Sequence, residues 1–365
     1  MNNFKKIGLT ALAGSLVAIS AQAGEMSVSG SFNATYSSES GSGSQGKGLG
    51  TDKDFSVSGA GELDNGYTFS GYTLLKDDMA VSSSALTLTM GSMGSVSIAS
   101  GSGGNSTKYD VQTPTAYEEI DDGGNTSLSA NFVGSWADNN SLIYASPTLD
   151  MGGVAATIHV EFSPEATGTS PNDGTVVDSI AYGNGKSLGV TLAGSGVTFG
   201  AYGATREAND KTVGVKDSLE LVSYLNYAVG NVALGVSMSH FDIGAQHPLT
   251  QTTTAELATA AKVVGTAKGI FESTTYSIAY NINENVSVSY AKATDTYDAQ
   301  ASKNTNNAAV TVADVDSDSE SFQVAYSMGA MSIKAYQTKS DNNTYMTGAS
   351  ATSQTTSEIA LGLAF

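Results

Sequence analysis

Residues 25–37 read Glu-Met-Ser-Val-Ser-Gly-Ser-Phe-Asn-Ala-Thr-Tyr-Ser. Met26, Val28, Phe32, Ala34 and Tyr36 share one parity with Gly30, and Ser27, Ser29, Ser31, Asn33, Thr35 and Ser37 share the other. A helix would scatter these apolar residues around its circumference. A strand sends successive side chains to opposite faces and gathers them on one. The stretch predicts a β-strand with one apolar and one wet face. The alternation then recurs at Phe55–Val57, Tyr67–Leu75, Leu86–Met90, Val96–Ile98, Leu142–Tyr144, Val154–Phe162, Ile180–Leu192 and Val197–Ala201. It continues at Leu219–Tyr227, Val232–Met238, Tyr276–Ile282, Val286–Tyr290, Phe322–Tyr326, Met331–Ala335 and Ile359–Phe365, which makes sixteen sets.

The connections between the sets alternate in length. Asp64-Asn65-Gly66, Gly91–Gly94, Gly194-Ser195-Gly196, Gly230-Asn231, Asn283–Asn285 and Met328–Ala330 are tight, with the Gly and Asn that hairpin turns require. Between them run long polar stretches: 38–52, 101–139, 163–175, 207–216, 242–269, 295–318 and 338–353. Only the second of that series is short, at Asp77-Asp78. Short turns at one rim and long loops at the other describe a transmembrane antiparallel β-barrel of about 16 strands. The turns would then be periplasmic and the loops extracellular.

The composition fits that reading. In lipid every backbone N–H and C=O needs a partner, so a chain without apolar helices can span only as a closed barrel. Half of such a wall is wet, which keeps the mean hydropathy at −0.09. The 365 residues carry 16 Lys+Arg against 35 Asp+Glu, a net charge of −19 that excludes nucleic acid as a partner. There is no Cys, which removes thiol catalysis, disulfides and thiolate metal sites. Lys5 and Lys6, an apolar run from Ile7 to Ile19, and Ala21-Gln22-Ala23 read as a signal peptide over residues 1–23, cleaved near Ala23. Residues 24–365 are then the barrel domain.

Two stretches carry a resemblance. Asn140-Ser141-Leu142-Ile143-Tyr144-Ala145-Ser146-Pro147, followed by Gly152-Gly153 and a strand ending Phe162-Ser163-Pro164, resembles the segment after the constriction loop of Gram-negative general porins. The terminal Ile359-x-Leu361-x-Leu363-x-Phe365 is similar to the signal by which the barrel assembly machinery recognises its clients. Motif-grade similarity covers about a tenth of the mature chain. The resemblance implies a homotrimer of sixteen-stranded diffusion channels in the bacterial outer membrane, in contact with lipid and lipopolysaccharide. It also implies that residues 101–139, the longest connection, fold into the lumen as a constriction loop.

That loop carries Asp110, Glu118, Glu119, Asp121, Asp122 and Asp138 against Lys108 alone. Acidic groups in a narrow opening concentrate cations and repel anions. The family sets an arginine-rich wall opposite the loop, whereas this chain has one Arg, Arg206, and strands 2 to 4 offer only Lys53 and Lys76. By parity Lys76, Arg206 and Lys334 point inward, as do Glu62, Glu161, Glu220 and Glu358. Acid exceeds base inside, so a cation preference is expected. The short second loop departs from the family, in which that loop latches onto a neighbouring subunit.

Asp314, Asp316, Asp318 and Glu320 stand at alternate positions entering strand 14. Hard oxygen ligands suit Ca²⁺, but the spacing lacks the glycine and distal glutamate of an EF-hand. A solvated acidic rim is the better reading, with a weak divalent-ion site as the alternative. Thr253-x-x-Glu256 before an apolar run reads as a capped helix inside a loop. His240-Phe-Asp242 is an imidazole–carboxylate pair in sequence, without a serine-nucleophile motif beside it. The leading function is a channel for passive diffusion of small hydrophilic solutes and ions. A secreted β-rich adhesin, which would need a fixed repeat period, and a barrel-borne hydrolase are the alternatives.

Overall fold

The computed structural model describes residues 25–41, 45–76, 79–101, 104–110, 112–120, 139–166, 182–209, 216–242, 244, 270–298, 302–303, 309–310, 314–342 and 353–365. The expected signal peptide and the capped helix of residues 253–264 lie outside them. Sixteen long strands follow in order: β1 (Glu25–Gly41), β2 (Gly46–Glu62), β3 (Thr68–Leu75), β4 (Val81–Thr89), β5 (Ser95–Ser100), β6 (Asn139–Ala145), β7 (Ala155–Ser163) and β8 (Tyr182–Gly194). Then come β9 (Val197–Ala208), β10 (Ser218–Val229), β11 (Val232–Asp242), β12 (Ile270–Asn281), β13 (Val286–Asp298), β14 (Val315–Met328), β15 (Met331–Asp341) and β16 (Ser353–Ala364). A two-residue piece, Leu149–Asp150, rides on β7, and Ser302–Lys303 pairs with Ala309–Val310 as a small hairpin. Among the described residues helix is limited to single 3-10 turns at Gly91–Met93 and Ser106–Lys108, and no helix is long and apolar enough to cross a membrane.

Each strand pairs antiparallel with the next, and β1 pairs with β16 to close the sheet into a barrel. Closure removes the unpaired edge that lipid would not tolerate. The seam is tight. Gly30 N–H donates to Phe365 O at 3.0 Å and Phe365 N–H donates to Gly30 O at 3.0 Å. A Cβ at Gly30 would lie 2.6 Å from the Phe365 ring, so the missing side chain makes room for the terminal aromatic. That ring stacks on Phe32 at 5.6 Å and packs against Phe55 at 5.9 Å.

The registers fix what each parity does. Phe32, Leu221, Ile278, Phe322 and Ile359 sit on the outer face, and Leu221 and Ile359 remain 46% and 56% exposed. A continuous apolar band exposed to this degree belongs in hydrocarbon, not water. The opposite parity is small and polar: Ser237, Thr275, Ser289, Ser319 and Gln323 are buried.

The first outer connection differs from its sequence reading. Residues 38–52 are not a long loop. Ser37 pairs with Gly48 and Glu39 with Gly46, so β1 and β2 each run 17 residues and only 42–45 joins them. Above the membrane both faces meet water, so the backbone ladder continues after the apolar alternation has stopped. The second connection is short as expected: Lys76 N–H donates to Ala80 O at 3.0 Å across it.

Candidate functional site

The segment 104–120 leaves the outer end of β5 and lies along the inner wall from β7 to β16. Its near end is clasped by Glu161 of β7, a buried carboxylate. Glu161 accepts hydrogen bonds from the Asn105 N–H at 2.9 Å, the Ser141 hydroxyl at 2.5 Å and the Ser187 hydroxyl at 3.3 Å. Gly104 has φ +46° and its α-carbon faces that carboxylate with no room for a Cβ. Tyr109 comes next and is fully buried. Its hydroxyl hydrogen-bonds His159 Nδ1 at 2.6 Å, its ring stacks on Tyr202 at 5.1 Å, and it covers Gly189, where any side chain would collide with it. Burial pushes the Tyr109 phenol up to about 12.

The middle of the segment is seated on β10 and β11. Asn226 Nδ2 donates to Gln112 O, and Pro114 fills the space above Gly235. The far end is held by hydrogen bonds. Ala116 N–H donates to Ser289 Oγ at 2.9 Å, and Tyr117 N–H donates to Gln323 Oε1 at 2.9 Å. Gln323 Nε2 returns a bond to Glu118 O at 2.7 Å, and the Tyr117 hydroxyl donates to Glu358 Oε1 at 2.8 Å. Burial, then the bond to Glu358, raises the Tyr117 phenol above its ordinary range. Lys334 Nζ stands 5.0 Å from the centre of the Tyr117 ring, and Ile120 packs on Ala291 and Ala293.

The described part of the loop lies on the β7–β16 side of the lumen. Ser317, Ser319, Ser321 and Gln323 on β14 have no exposure, whereas Ser27, Glu62, Thr68, Ser70 and Tyr72 on the inward parity of β1–β3 are exposed. Among the described residues, the open inner wall is therefore the turn-side part of β1–β3.

The expected site residues distribute as follows. Asp110, Glu118 and Glu119 are half-buried on the segment, while Asp121 and Asp122 lie outside the described residues. Lys334 is inward on β15, and inward Arg206 on β9 reaches Ala166 O at 3.5 Å. Lys76 falls one residue past the end of β3, exposed in the outer turn. Lys53 pairs with outward Phe32 and so stands on the outer parity. The inward positions beside it are Asp52 and Asp54, opposite Asn33 and Ser31. Asp52 falls inside the stretch 38–52 that reads as loop, and Asp54 lies between that stretch and the first apolar residue of the strand, Phe55. Their parity with Ser56 and Ser58 was the available signal. The anchors Tyr109, Tyr117 and Gln323 carried no sequence signal, because neither their spacing nor their type marks a loop contact.

Asp316, Asp318 and Glu320 fall on the outer parity of β14 with Phe322. Each has its own partner: Asp316 accepts from Thr296 at 2.7 Å, Asp318 from Thr294 at 2.6 Å, and Glu320 pairs with Lys292 at 3.4 Å. Asp314 is exposed just before the strand. Among the described residues no three His, Asp or Glu side chains come together as a metal site. His240 Nδ1 contacts Glu272 Oε1 at 3.1 Å, and Asp242 is paired with Lys216 at 2.5 Å, so the adjacent imidazole and carboxylate do not form a couple.

A closed sixteen-stranded barrel, apolar outside, polar inside and narrowed by an inserted loop, defines a channel protein of the bacterial outer membrane. The chain belongs to the Gram-negative porin family, whose model matches residues 8–292. The fold is similar to an anion-selective porin from Comamonas acidovorans (14% identity, TM-score 0.62, covering 94% of this chain and 100% of that one). It is also similar to the trimer form of OmpT, an outer membrane protein of Vibrio cholerae (12%, TM-score 0.61, 94% and 100%). A further porin structure aligns at 13% identity with TM-score 0.61, over 93% of this chain and 100% of that one. No curated sequence matches the chain.

Proposed function

We propose that the channel is passive and cation-preferring, and that it works as a homotrimer passing small hydrophilic solutes and ions. One observation carries the charge preference. On the wall across the lumen from segment 104–120, Asp52 and Asp54 take the inward positions and Lys53 the outward one. The loop itself brings Asp110, Glu118 and Glu119 into the lumen, and by sequence Asp121 and Asp122 extend that acidic run. Acid thus stands on both sides of the passage, against inward Lys334 and Arg206 and the loop's own Lys108. A low-dielectric wall focuses such a field and raises the local cation concentration. Selectivity does not come with the fold, since a similar barrel is an anion-selective porin.

The trimer is supported by the trimer form of a similar barrel, and the apolar outer band leaves room for both lipid and subunit contacts. Phe365 would be read by the assembly machinery before the seam closes, and outer-leaflet lipopolysaccharide would meet the polar outer ends of β11–β15. A weak Ca²⁺ site at Asp314, Asp316, Asp318 and Glu320 would have to recruit ligands beyond their present partners. The test of the main reading is single-channel current of the mature protein in a planar bilayer under a salt gradient. Ohmic steps in groups of three, with a reversal potential towards the cation value, are expected. An anion-side reversal potential overturns the charge argument, and an absence of steps from a folded barrel overturns the channel.

A further inference from the structure

Glu358 holds two separate parts of the molecule with one carboxylate. Its Oε1 accepts from the Tyr117 hydroxyl at 2.8 Å, and its Oε2 accepts from the Ser37 hydroxyl at 2.9 Å. Ser37 lies on β1 directly opposite Glu358 in the register that closes the barrel. The far end of the loop is therefore tied to the seam between the first and last strands.

The surroundings concentrate the dependence on Tyr117. Its ring lies against two inward side chains of β15, Tyr336 at 5.8 Å and Lys334 Nζ at 5.0 Å, while its own N–H is taken by Gln323. Glu118 and Glu119 follow it directly, so the angle at which Tyr117 is pinned decides where these two carboxylates stand in the lumen.

We propose that Glu358 is a positioning residue for selectivity: by accepting from Tyr117 it fixes the acidic turn of the loop against the closed seam. The role is that of an acceptor rather than of a charge in the passage. A neutral acceptor should then serve nearly as well, and loss of the phenol hydroxyl should do as much damage as loss of the carboxylate. The proposal deepens the channel reading and rests on it for its consequence, though the clasp itself can be observed without current.

The chain lacks Cys, so Glu119→Cys provides a single attachment point for a nitroxide spin label. Label mobility would be compared in liposomes for that background and for it combined with Tyr117→Phe, Glu358→Ala or Glu358→Gln. Folding of each variant is checked by its heat-modifiable migration. Tyr117→Phe and Glu358→Ala should each raise the mobile fraction of the label about five-fold, the effect of losing one hydrogen bond. Glu358→Gln should leave it near the background. The same three substitutions, made without the label, should raise the frequency of open-channel excursions in the same order. Equal mobility in Tyr117→Phe and the background overturns the proposal, and so does a Glu358→Gln as mobile as Glu358→Ala. A wild type that conducts no ions while the labels follow the expected order would defeat the channel reading and leave the clasp standing.

Discussion

At the scale of single residues the near end of the loop turns on two small spaces. Gly104 has φ +46° and presses its backbone against the Glu161 carboxylate. An alanine there meets both the left-handed penalty and the carboxylate, so Gly104→Ala should undock the near end at a cost of about 1–3 kcal/mol. Protease sensitivity of the folded barrel checks it, with a new cut expected between β5 and β6 and none elsewhere. Tyr109 adds a pH dependence. Its phenol is raised to about 12 by burial, while the same group in a released loop would titrate near 10. The docked loop retains its proton where the released loop loses it. Its contribution is therefore complete below pH 10 and is lost as pH rises through 12. Channel noise should grow across that window in the wild type, and less so in Tyr109→Phe, which has no proton to lose. An equal growth in both would assign the effect to another group.

At the scale of elements, the strands were legible wherever one face meets lipid, and they lost definition where it does not. β11, from Val232 to Asp242, shows apolar side chains at alternate positions because its neighbours leave that face to hydrocarbon. The outer halves of β1 and β2 have water on both faces and the sequence Gly46-Lys47-Gly48-Leu49-Gly50, which has no alternation to read. The loop was legible in length as the longest connection, and its insertion was implied only by the porin resemblance of the segment that follows it. Its anchors were not, because Ser289, Gln323 and Glu358 lie 173, 206 and 241 residues from their loop partners. No spacing rule reaches that far. The seam supplies a prediction of its own. A Cβ at Gly30 would meet the Phe365 ring at 2.6 Å and the Asp54 carbonyl oxygen at 2.8 Å, and that ring also packs on Phe32 and Phe55. Gly30→Val should block closure, so that the refolding yield of heat-modifiable barrel falls steeply. Phe365→Ala in the same background should restore part of it by vacating the space. A Gly30→Val protein that refolds like the wild type would remove any role for the terminal ring in closing the sheet.

At the scale of the whole molecule, the question is which charges the permeating ion meets. Segment 104–120 lies over the inner wall of β14, whose inward Ser317, Ser319, Ser321 and Gln323 carry no charge, so the charges presented on that side are the loop's own. The wall of β1–β3 lies across the lumen from segment 104–120, and its register sends Asp52 and Asp54 inward and Lys53 outward. Composition alone would count Lys53 as a basic residue on the wall opposite the loop, partly cancelling the acids. The strand parity says that it never faces the ion. The double substitution Asp52→Asn with Asp54→Asn should therefore cut the cation-over-anion permeability ratio several-fold, an effect of about 1 kcal/mol for two charges beside a wet passage. Lys53→Gln, although it changes the net charge by the same sign as adding an acid, should leave the ratio unchanged. Raising the salt concentration should shrink the first effect, since screening shortens the reach of the wall charges to a few ångströms at molar ionic strength. A Lys53→Gln channel with altered selectivity would mean that the outer parity of β2 reaches the ion path. The field would then have to be rebuilt from a wider set of charges than the inner wall.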